Sequence, residues 1–537
     1  LVYIAKAQRS MYKNFIIAFM LVCTASPPGL MGFSIAHAAD RSNVLLIMTD
    51  NQSPSLLGAY GNLDIKTPNI DQLAKEGVLF ERAYATSGVC SPSRAVLLTG
   101  LIPSANGVHN GLPASYTVTD YAAIEEFRNL PQTLADAGYR TGLVGKYHLG
   151  AHEKPQLGFE WWTTFRGGHT SSFINAQVFD NGEMFNVLDS DEHLTDFWSR
   201  RAVDFIEAQK DDEGERPFFL WLSYNGPYIL PPTVNQPPVS RHAAYYQDNV
   251  PAMPQNRVHP YMREWAKTNT APAREETEGG TYPWSAIDAL NNETAMINIA
   301  AEMTHVDEGI GTVLAALEAA GLDENTLVVF LADQGSSYGQ LGMWGNSSWG
   351  DPEPAYNAHM QVPMIVRHPG EIEPGTTISA MVNQFDVFPS LLDYLGMDDL
   401  EIANSPGQSF APMLRGEDMA WEDEIFFEYI STRVIQTRQW KYTKRFMASP
   451  NELYDMTNDP GETTNLIADP AYTEVSTGLD ARLTQFWADN ADPTFDVWNG
   501  GTGKALVYYG KRNNKFREAF PGWREPFVEK ATAFRDR

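Results

Sequence analysis

Cysteine is nearly absent from this chain of 537 residues, which contains only Cys23 and Cys90. Two cysteines cannot build a disulfide framework, so the core must stabilise the fold. If the N-terminal segment that carries Cys23 is removed, Cys90 has no internal partner. A lone thiol in an exported protein is either buried and inert or retained for its chemistry.

Basic residues are also scarce, because 39 lysines and arginines stand against 67 aspartates and glutamates, giving a formal net charge of −28. Such a chain is not a general nucleic-acid or anionic-membrane binder, since either partner needs a basic face. An anionic small substrate in a local basic pocket stays compatible with this charge. Hydrophobic residues make up 43% of the chain, and its length exceeds what one core usually fills. We expect one large domain and a smaller one.

The apolar run Phe15–Val22 is too short to span a membrane comfortably. It follows Lys13 and precedes Ala36–Ala39, a small-x-small pattern that signal peptidase cleaves. We interpret residues 1–39 as a signal peptide, which predicts a periplasmic or secreted bacterial protein with no membrane segment in its mature form. A membrane anchor, or a lipoprotein through Cys23, is the alternative.

Strand and helix patterns alternate along the chain. Continuous apolar runs at 43–49, 217–222 and 326–331 predict buried parallel strands, and weaker patterns at 78–85 and 141–144 predict two more. This alternation predicts an α/β fold, a mostly parallel sheet sandwiched by helices, with polar residues at the carboxyl ends of its strands. We look for the site at that edge.

Helix starts are expected at Thr67-Pro68 and near residues 93 and 131, and a long helix over 293–319 should end at Gly321. Residues 227–284 are rich in Pro, Tyr, Asn and charge without a clean period, which predicts a long insertion over the site.

Composition changes near residue 415, so we place the large domain at 40–415 and a smaller α+β domain at 416–537. The elements expected in the smaller domain are antiparallel strands near 424–430, 433–436 and 440–444 and a helix around 477–487.

The segment Cys90-Ser91-Pro92-Ser93-Arg94 directly precedes an apolar helical pattern. Free backbone amides and the Arg94 guanidinium in the first turn can hold a tetrahedral anion against residue 90. The pattern indicates a nucleophile at an anion-binding site.

Cys-x-Pro-Ser-Arg at 90–94 resembles the signature of type I sulfatases, in which a maturation enzyme oxidises the cysteine to formylglycine. The resemblance covers most of the mature chain and implies the alkaline-phosphatase-like fold, with 40–415 as the catalytic sulfatase domain. Further segments that resemble family motifs, in the same order, are Asp50-Asn51-Gln52, Gly145–Gly150, Ala332–Gly335, and Glu452–Asp455 with Asn458-Asp459-Pro460, Glu462 and Asn465.

The resemblance implies a metal site to which Cys90, as formylglycine, belongs and whose other ligands are Asp50, Asn51, Asp333 and Gln334. These four residues offer only oxygen ligands, which suit a hard cation such as Ca²⁺ better than zinc or copper. Family members often have a second carboxylate where Asn51 stands, and Asn or His where Gln334 stands. The alternative is that these residues merely cap helices.

By the same resemblance, hydrated formylglycine at position 90 is a geminal diol, one hydroxyl of which attacks sulfur while the metal, Arg94 and Lys146 neutralise the developing charge. On a strand, Lys146 and His148 would share one face. His148 is then the expected base for the elimination of sulfate, with a structural bond to a backbone carbonyl as the alternative.

Two residues of the family pattern are missing. Asn225 stands where many sulfatases have a histidine that meets the leaving oxygen, and the lysine usually found ahead of the Arg-Val-Pro strand is absent from 347–357. His359 is the candidate for protonating the leaving group, with a structural role as the alternative.

The substrate expected from the inserted regions is a sulfated oligosaccharide, since Tyr224–Tyr228 resembles sulfatases that act on algal galactans such as carrageenan. Other readings are an arylsulfatase for small phenolic sulfates, a phosphodiesterase or phosphonate hydrolase of the same superfamily, and a non-catalytic sulfated-glycan binder. Residues considered for substrate contact are Asn225, His109, Arg166, His169, Arg257 and Arg263, with Trp161, Trp162, Trp265 and Trp284 as possible sugar platforms.

Overall fold

The computed structural model describes residues 41–112, 122–150, 152–168, 170, 172–187, 192–210, 216–228, 239–252, 258–269, 293–400, 402–447, 450–504, 516 and 518–520. All of them belong to one compact unit. The predicted signal peptide lies outside these ranges, as do His169, Arg257 and Trp284.

A sheet with eleven described strands forms the centre of the protein, in the order β11-β2-β10-β8-β1-β7-β3-β4-β5-β6 with β9 beside β2. The central neighbours β8, β1, β7, β3 and β4 run parallel, and antiparallel pairs lie toward the edges. The strands are β1 (Asn43–Thr49), β2 (Val78–Tyr84), β3 (Arg140–Gly145), β4 (Trp161–Phe165), β5 (Gln177–Asp180), β6 (Glu183–Asn186), β7 (Phe218–Ser223), β8 (Thr326–Ala332), β9 (Gln361–Val362), β10 (Met364–Arg367) and β11 (Thr376–Asn383).

Helices cover both faces of this sheet. Alternate residues of β1 enter two core clusters, one shared with α1, α5 and α8 and the other with α2, α4 and α10. Both faces of β1 are therefore buried, which is why its sequence is a continuous apolar run. The α-helices are α1 (Pro68–Glu76), α2 (Cys90–Thr99), α3 (Pro103–Asn106), α4 (Leu130–Asp136), α5 (Leu194–Glu207), α6 (Ala243–Asp248), α7 (Pro260–Asn269), α8 (Glu293–Ala320), α9 (Asn357–Met360), α10 (Val387–Tyr394), α11 (Ala411–Leu414) and α12 (Thr473–Asn490).

A second sheet is antiparallel throughout and follows the order β12-β13-β14-β15. Helix α12 packs on it through Leu479, Leu483 and Trp487, which share a core cluster with strand residues. The expected C-terminal α+β elements are therefore present, and the boundary at 415 stays a prediction. The strands are β12 (Glu424–Tyr429), β13 (Thr432–Thr437), β14 (Trp440–Arg445) and β15 (Glu452–Asp455).

Three expectations about helices need correction. Helix α2 begins at Cys90 instead of near Ser93, because Pro92 fits a first turn whose amides have no partner within the helix. Thr67 precedes α1 as predicted but makes no capping bond, since its hydroxyl accepts from the Gly58 amide and donates to Asp71. The insertion at 227–284, in which the sequence shows no clean period, nevertheless contains α6 and α7.

The end of α8 is as predicted, with Gly321 in the left-handed region at φ 71°. No helix within the described ranges has both the length and the apolar character needed to cross a membrane. Short 3₁₀ turns lie at Pro54–Leu56, Gly58–Tyr60, Asp323–Asn325, Gln340–Gly342, Ser347–Trp349, Gln384–Asp386, Pro470–Tyr472 and Val497–Asn499.

Candidate active site

Two carboxylates meet at the carboxyl edge of the central sheet. Asp50 follows β1 and Asp333 follows β8, and these strands are parallel neighbours whose last residues, Thr49 and Ala332, are paired. Both aspartates are fully buried. Asn51 adopts a positive φ of 58°, and its backbone amide donates to Asp333 Oδ1 at 3.0 Å. The strand pairing thus brings together residues that are 283 positions apart.

Cys90 opens α2 beside these carboxylates. Its thiol lies 3.5 Å from Asp50 Oδ1 and accepts a bond of 3.2 Å from Gln334 Nε2. The ligand atoms of Cys90, Asp50 and Asp333 all lie within 4.8 Å of one another. Burial, followed by the charge of Asp50, raises the pKa of the Cys90 thiol to about 12. The unmodified residue is therefore a poor thiolate nucleophile.

Arg94 joins three segments of the site. Its Nε and Nη2 donate to Asp333 Oδ2 at 3.1 and 2.9 Å. Its Nη1 donates to the Lys146 carbonyl at 2.6 Å and to Ser223 Oγ at 2.7 Å. This fully buried guanidinium fixes the Asp333 carboxylate and supplies positive charge at the start of α2.

Lys146 and Asp50 form a buried ion pair with 2.5 Å between Nζ and Oδ2. Burial alone would lower the pKa of Lys146, but the neighbouring Asp50 charge raises it above its ordinary value. Burial and Asp333 raise the pKa of Asp50 to about 7. The two carboxylates therefore repel each other in a site that would gain from a further cation.

The donor set fits a hard metal ion. Gln334 Oε1 is buried without a hydrogen-bond partner among the described residues, while its Nε2 faces Asn51 Oδ1 in a short contact. A half-turn of the Gln334 amide would bring its oxygen beside Asn51 Oδ1, so that both amide oxygens could reach one point beside the carboxylates. Asp50, Asn51, Asp333 and Gln334 thus offer oxygen ligands where charge and an orphaned carbonyl call for an ion.

His148 lies in the loop after β3, so the expectation that it shares a strand face with Lys146 is wrong. Its φ of 57° turns the chain, and its Nε2 donates to the Leu112 carbonyl at 3.0 Å. A Cβ on Gly168 would lie 2.0 Å from the ring, so only glycine permits this approach. Because Nε2 carries the proton, the lone pair of the neutral ring is on Nδ1.

Asn225 belongs to a loop that is tied to the site on both sides. Ser223 accepts from Arg94, and the Gly226 carbonyl accepts from the Asp50 amide at 3.0 Å. The Asn225 side chain is itself held, since its Oδ1 accepts from Trp198 Nε1 at 2.8 Å and its Nδ2 donates to Thr170 at 3.2 Å. The loop therefore places a side-chain amide beside the sheet edge.

His359 lies in α9, next to the segment Ala332–Gly335, where the Gly335 amide donates to the His359 carbonyl at 3.2 Å. The side chain is fully buried, and neither ring nitrogen has a hydrogen-bond partner among the described residues. Burial, followed by the charges of Lys441 and His259, lowers the pKa of His359 to about 3. The ring is therefore neutral, and its assignment as an acid stays a prediction.

The remaining predicted contacts are more dispersed. His109 is buried and its Nε2 donates to the Phe495 carbonyl at 2.8 Å, whereas Arg166 is exposed. Trp162 and Trp265 are fully buried in the core clusters and present no face to a sugar. The substrate roles of His109 and Arg166 stay predictions.

Sequence reasoning missed Asn346, Ser223 and Gln384. Asn346 Nδ2 donates to Asn51 Oδ1 at 3.2 Å, and Gln384 binds Ser93 Oγ at 2.9 Å and the Asp333 carbonyl at 3.2 Å. A single Asn, Ser or Gln carries no pattern, although Ser223 directly precedes the segment Tyr224–Tyr228. Only the position of Ser223 at the end of a buried strand could have indicated a role.

A second buried cluster lies between α5 and α8. Ligand atoms of His193, Glu302 and His305 come within 4.8 Å of one another. The rings of His193 and His305 stack at 4.2 Å, and His193 Nε2 lies 3.4 Å from Glu302 Oε2. Burial raises the pKa of Glu302 to about 8, and burial with the His305 charge lowers the pKa of His193 to about 3.

Two protein-family models match this chain. A family model described as Sulfatase matches residues 42–397, and one described as N-sulphoglucosamine sulphohydrolase, C-terminal, matches residues 345–489. An N-acetylglucosamine-6-O-sulfatase of Bacteroides thetaiotaomicron is 25% identical over 81% of this chain and 84% of its own length. An ulvan-active sulfatase of Formosa agariphila is 25% identical over 96% of both chains.

Among solved structures, a protein in complex with its substrate D-glucosamine-2-N,6-O-disulfate superposes with a TM-score of 0.68 at 24% identity. The match covers 84% of this chain and 98% of that chain. The fold predicted from the sequence, a mostly parallel sheet between helices with a C-terminal α+β part, is confirmed.

Proposed function

The chain belongs to the sulfatase family and is a sulfuric ester hydrolase. We propose that it removes sulfate from a sulfated carbohydrate and that its nucleophile is a formylglycine made from Cys90. One observation carries the proposal. Cys90 stands within hydrogen-bond distance of Asp50 and Gln334, in a site where Lys146 and Arg94 supply the positive charge.

The unmodified thiol does not suit the chemistry, because its raised pKa leaves almost no thiolate. Oxidation by a formylglycine-generating maturation enzyme would give residue 90 an aldehyde whose hydrate supplies a hydroxyl nucleophile. Lys146 and Arg94 neutralise negative charge that develops on the sulfate oxygens. His148 can accept a proton at Nδ1, since its Nε2 is held by the Leu112 carbonyl.

Asp50, Asn51, Asp333 and Gln334 would hold a calcium ion, with residue 90 beside them. A bound calcium would withdraw charge from the sulfate and offset the repulsion between the aspartates. Arg94 prepares the site by holding Asp333 Oδ2, which leaves Oδ1 bonded to the amides of Asn51 and Gln334. The ligand geometry is thus set by backbone and guanidinium donors.

We assign protonation of the leaving group to His359, with the Asn225 amide as a further hydrogen-bond donor. A neutral imidazole delivers a proton only if it first gains one, and the buried ring resists charging. Substrate binding would have to bring negative charge near His359 for this role. Asn225, whose Nδ2 orientation is fixed by Trp198, can stabilise the leaving oxygen without transferring a proton.

The proposed substrate is a sulfated polysaccharide or oligosaccharide. Relatives that cover most of the chain include an N-acetylglucosamine-6-O-sulfatase and an ulvan-active sulfatase. The narrower proposal, an algal galactan such as carrageenan, rests on the segment Tyr224–Tyr228. Residues 1–39 would direct export, so the enzyme would meet such glycans in the periplasm or outside the cell.

Defined substrates test this proposal. Enzyme produced with the maturation system would be incubated with oligosaccharides of carrageenan and ulvan and with N-acetylglucosamine 6-sulfate, and released sulfate would be measured by ion chromatography. We expect release from at least one glycan, and none from Cys90→Ala. Turnover confined to small phenolic sulfates would contradict the carbohydrate assignment.

A further inference from the structure

Asn346 occupies a junction between the proposed metal site and the loop that leads to the nucleophile. Its Nδ2 donates to Asn51 Oδ1 at 3.2 Å. The next residue, Ser347, donates from its backbone amide to the Gly88 carbonyl at 3.2 Å, two residues before Cys90. Asn346 itself is buried, with 3% of its surface exposed.

The orientation of the Asn346 amide follows from its neighbours. Its Oδ1 accepts from the Ser348 amide at 3.0 Å and from Ser348 Oγ at 2.7 Å. The backbone amide of Ser348 can only donate, so the side-chain oxygen of Asn346 must face Ser348. The Nδ2 group of Asn346 must then face Asn51. One of its two hydrogens reaches Asn51, and among the described residues no second acceptor contacts Nδ2.

The formal charge of the surrounding site is small. Lys146 pairs with Asp50 and Arg94 pairs with Asp333, so these four side chains sum to zero. A divalent cation would bring the site to about two positive charges. The side chain at position 346 that contacts Asn51 is neutral, so it adds no further charge to the site.

On the basis of the proposed sulfatase function, we propose that Asn346 forms a neutral wall of the anion site, where its Nδ2 holds Asn51 and donates its second hydrogen to a sulfate oxygen. A sulfate ester carries one negative charge and a phosphate monoester carries two near neutral pH. Because Asn346 is neutral, the second charge of a phosphate ester gains no further cation at this wall, which favours the monoanionic sulfate ester. Asn346 is thus a specificity-determining residue for sulfate over phosphate esters.

Binding without turnover tests this role. In the Cys90→Ala background with calcium present, methyl sulfate and methyl phosphate would be titrated by calorimetry. Asn346→Lys should raise the ratio of methyl phosphate affinity to methyl sulfate affinity by roughly tenfold or more, since the added positive charge attracts two negative charges on methyl phosphate and only one on methyl sulfate. Asn346→Ala should weaken methyl sulfate without favouring phosphate, and calcium affinity should fall by about 10-fold through loss of the bond to Asn51.

Controls separate this role from damage to the loop. Gln340→Ala removes another amide of the same loop, one that binds Ser55 Oγ at 2.9 Å on the exposed side, and should leave both affinities unchanged. Circular dichroism would verify folding. Asn346→Asp, a variant of nearly equal size, removes the donor and adds a negative charge beside the anion site, so it should weaken methyl sulfate more than Asn346→Ala does. An unchanged affinity ratio in Asn346→Lys, or unchanged methyl sulfate binding in Asn346→Ala, would overturn the proposal. Absence of any sulfatase turnover in the converted wild type would instead refute the proposed function, because the binding assay does not depend on turnover.

Discussion

Two buried clusters in this protein bring three potential metal ligands within 4.8 Å, yet they differ in how their charge is balanced. At the sheet edge, Asp50 and Asp333 lie close together, and each forms an ion pair with a buried basic side chain, Lys146 and Arg94 respectively. Between α5 and α8, Glu302 lies beside His193 and His305, and within the described part of the chain no lysine or arginine forms an ion pair with it. Its burial keeps it protonated near neutral pH.

The difference shows which cluster can accept an ion. His193 Nδ1 accepts from the Thr195 amide at 3.2 Å, so its proton lies on Nε2 and faces Glu302. His305 Nε2 contacts Asp196 at 3.1 Å and Arg241 at 2.7 Å. His193 Nδ1 and both ring nitrogens of His305 are therefore engaged by protein partners, and His193 Nε2, which has no hydrogen-bond partner among the described residues, carries a proton and cannot act as a ligand in this form. The sheet edge instead combines two close carboxylates with a buried Gln334 amide oxygen that lacks a partner. Proximity of potential ligands is therefore a weaker sign of a metal site than unbalanced charge combined with buried polar groups that lack hydrogen-bond partners.

The largest expected effect concerns the nucleophile. Cys90→Ala should reduce turnover of a sulfated oligosaccharide by at least on the order of 10³-fold, because no other residue supplies the attacking group. Glu302→Gln, which changes the other cluster at nearly constant volume, should retain most activity. Initial rates of sulfate release would be measured for both variants. If Cys90→Ala turned over as fast as the wild type, the sheet-edge cluster would not be the catalytic one.

Metal binding should separate the clusters next. Chelation should remove activity, and calcium should restore it better than zinc, because the sheet-edge ligands are oxygens. Asp333→Ala should cost more activity than Gln334→Ala, since it removes a charge as well as a ligand and leaves Arg94 unpaired. Elemental analysis should find the bound metal lost in Asp333→Ala and retained in His193→Gln. Metal lost from His193→Gln alone would reverse the assignment.

A smaller effect is expected at the leaving-group side. His359→Ala should lower turnover of a sulfated sugar by on the order of 10²-fold and hydrolysis of an aryl sulfate far less, because an aryl oxide needs no proton to leave. Paired kcat/KM values for the two substrates give the comparison. Equal losses would indicate a structural role for this buried ring, and no loss on either substrate would transfer the role to Asn225.

The smallest effect is a pH dependence of stability in the second cluster. The folded pKa of Glu302, about 8, lies above its ordinary value, so the native state binds more protons than the unfolded state and stability falls as pH rises toward 8. The lowered pKa of His193 acts in the opposite direction, but only below about 6.5. Between pH 6.5 and 8, ionisation of Glu302 should therefore lower the unfolding free energy of the wild type by up to about 2 kcal/mol. Glu302→Gln should not show this decrease.

Chemical denaturation of wild type and Glu302→Gln at both pH values measures this difference. The surrounding charges of Asp196 and Arg241 are present in both proteins and cancel in the comparison. Identical pH profiles would show that Glu302 is ionised in the folded protein.

The parts of the molecule that the sequence predicted are those with a local pattern. Strand β1 was visible because both of its faces are buried, and the segment Cys90–Arg94 because the residues of one helix start act together. Asn346 could not be found, since its role arises from a contact across 295 positions of sequence. For Ser223, whose contact with Arg94 spans 129 positions, only its place at the end of a buried strand could have indicated a role. The positive φ of His148 likewise depends on packing against Gly168, which no local pattern encodes.

The most direct test of the central claim is the chemical state of residue 90 in active enzyme. Mass spectrometry of the peptide that contains it, from protein produced with and without the maturation enzyme, would be compared with sulfate release by the same samples. The account predicts an aldehyde at residue 90 and turnover in proportion to the converted fraction. Full turnover from protein that retains the thiol would contradict it.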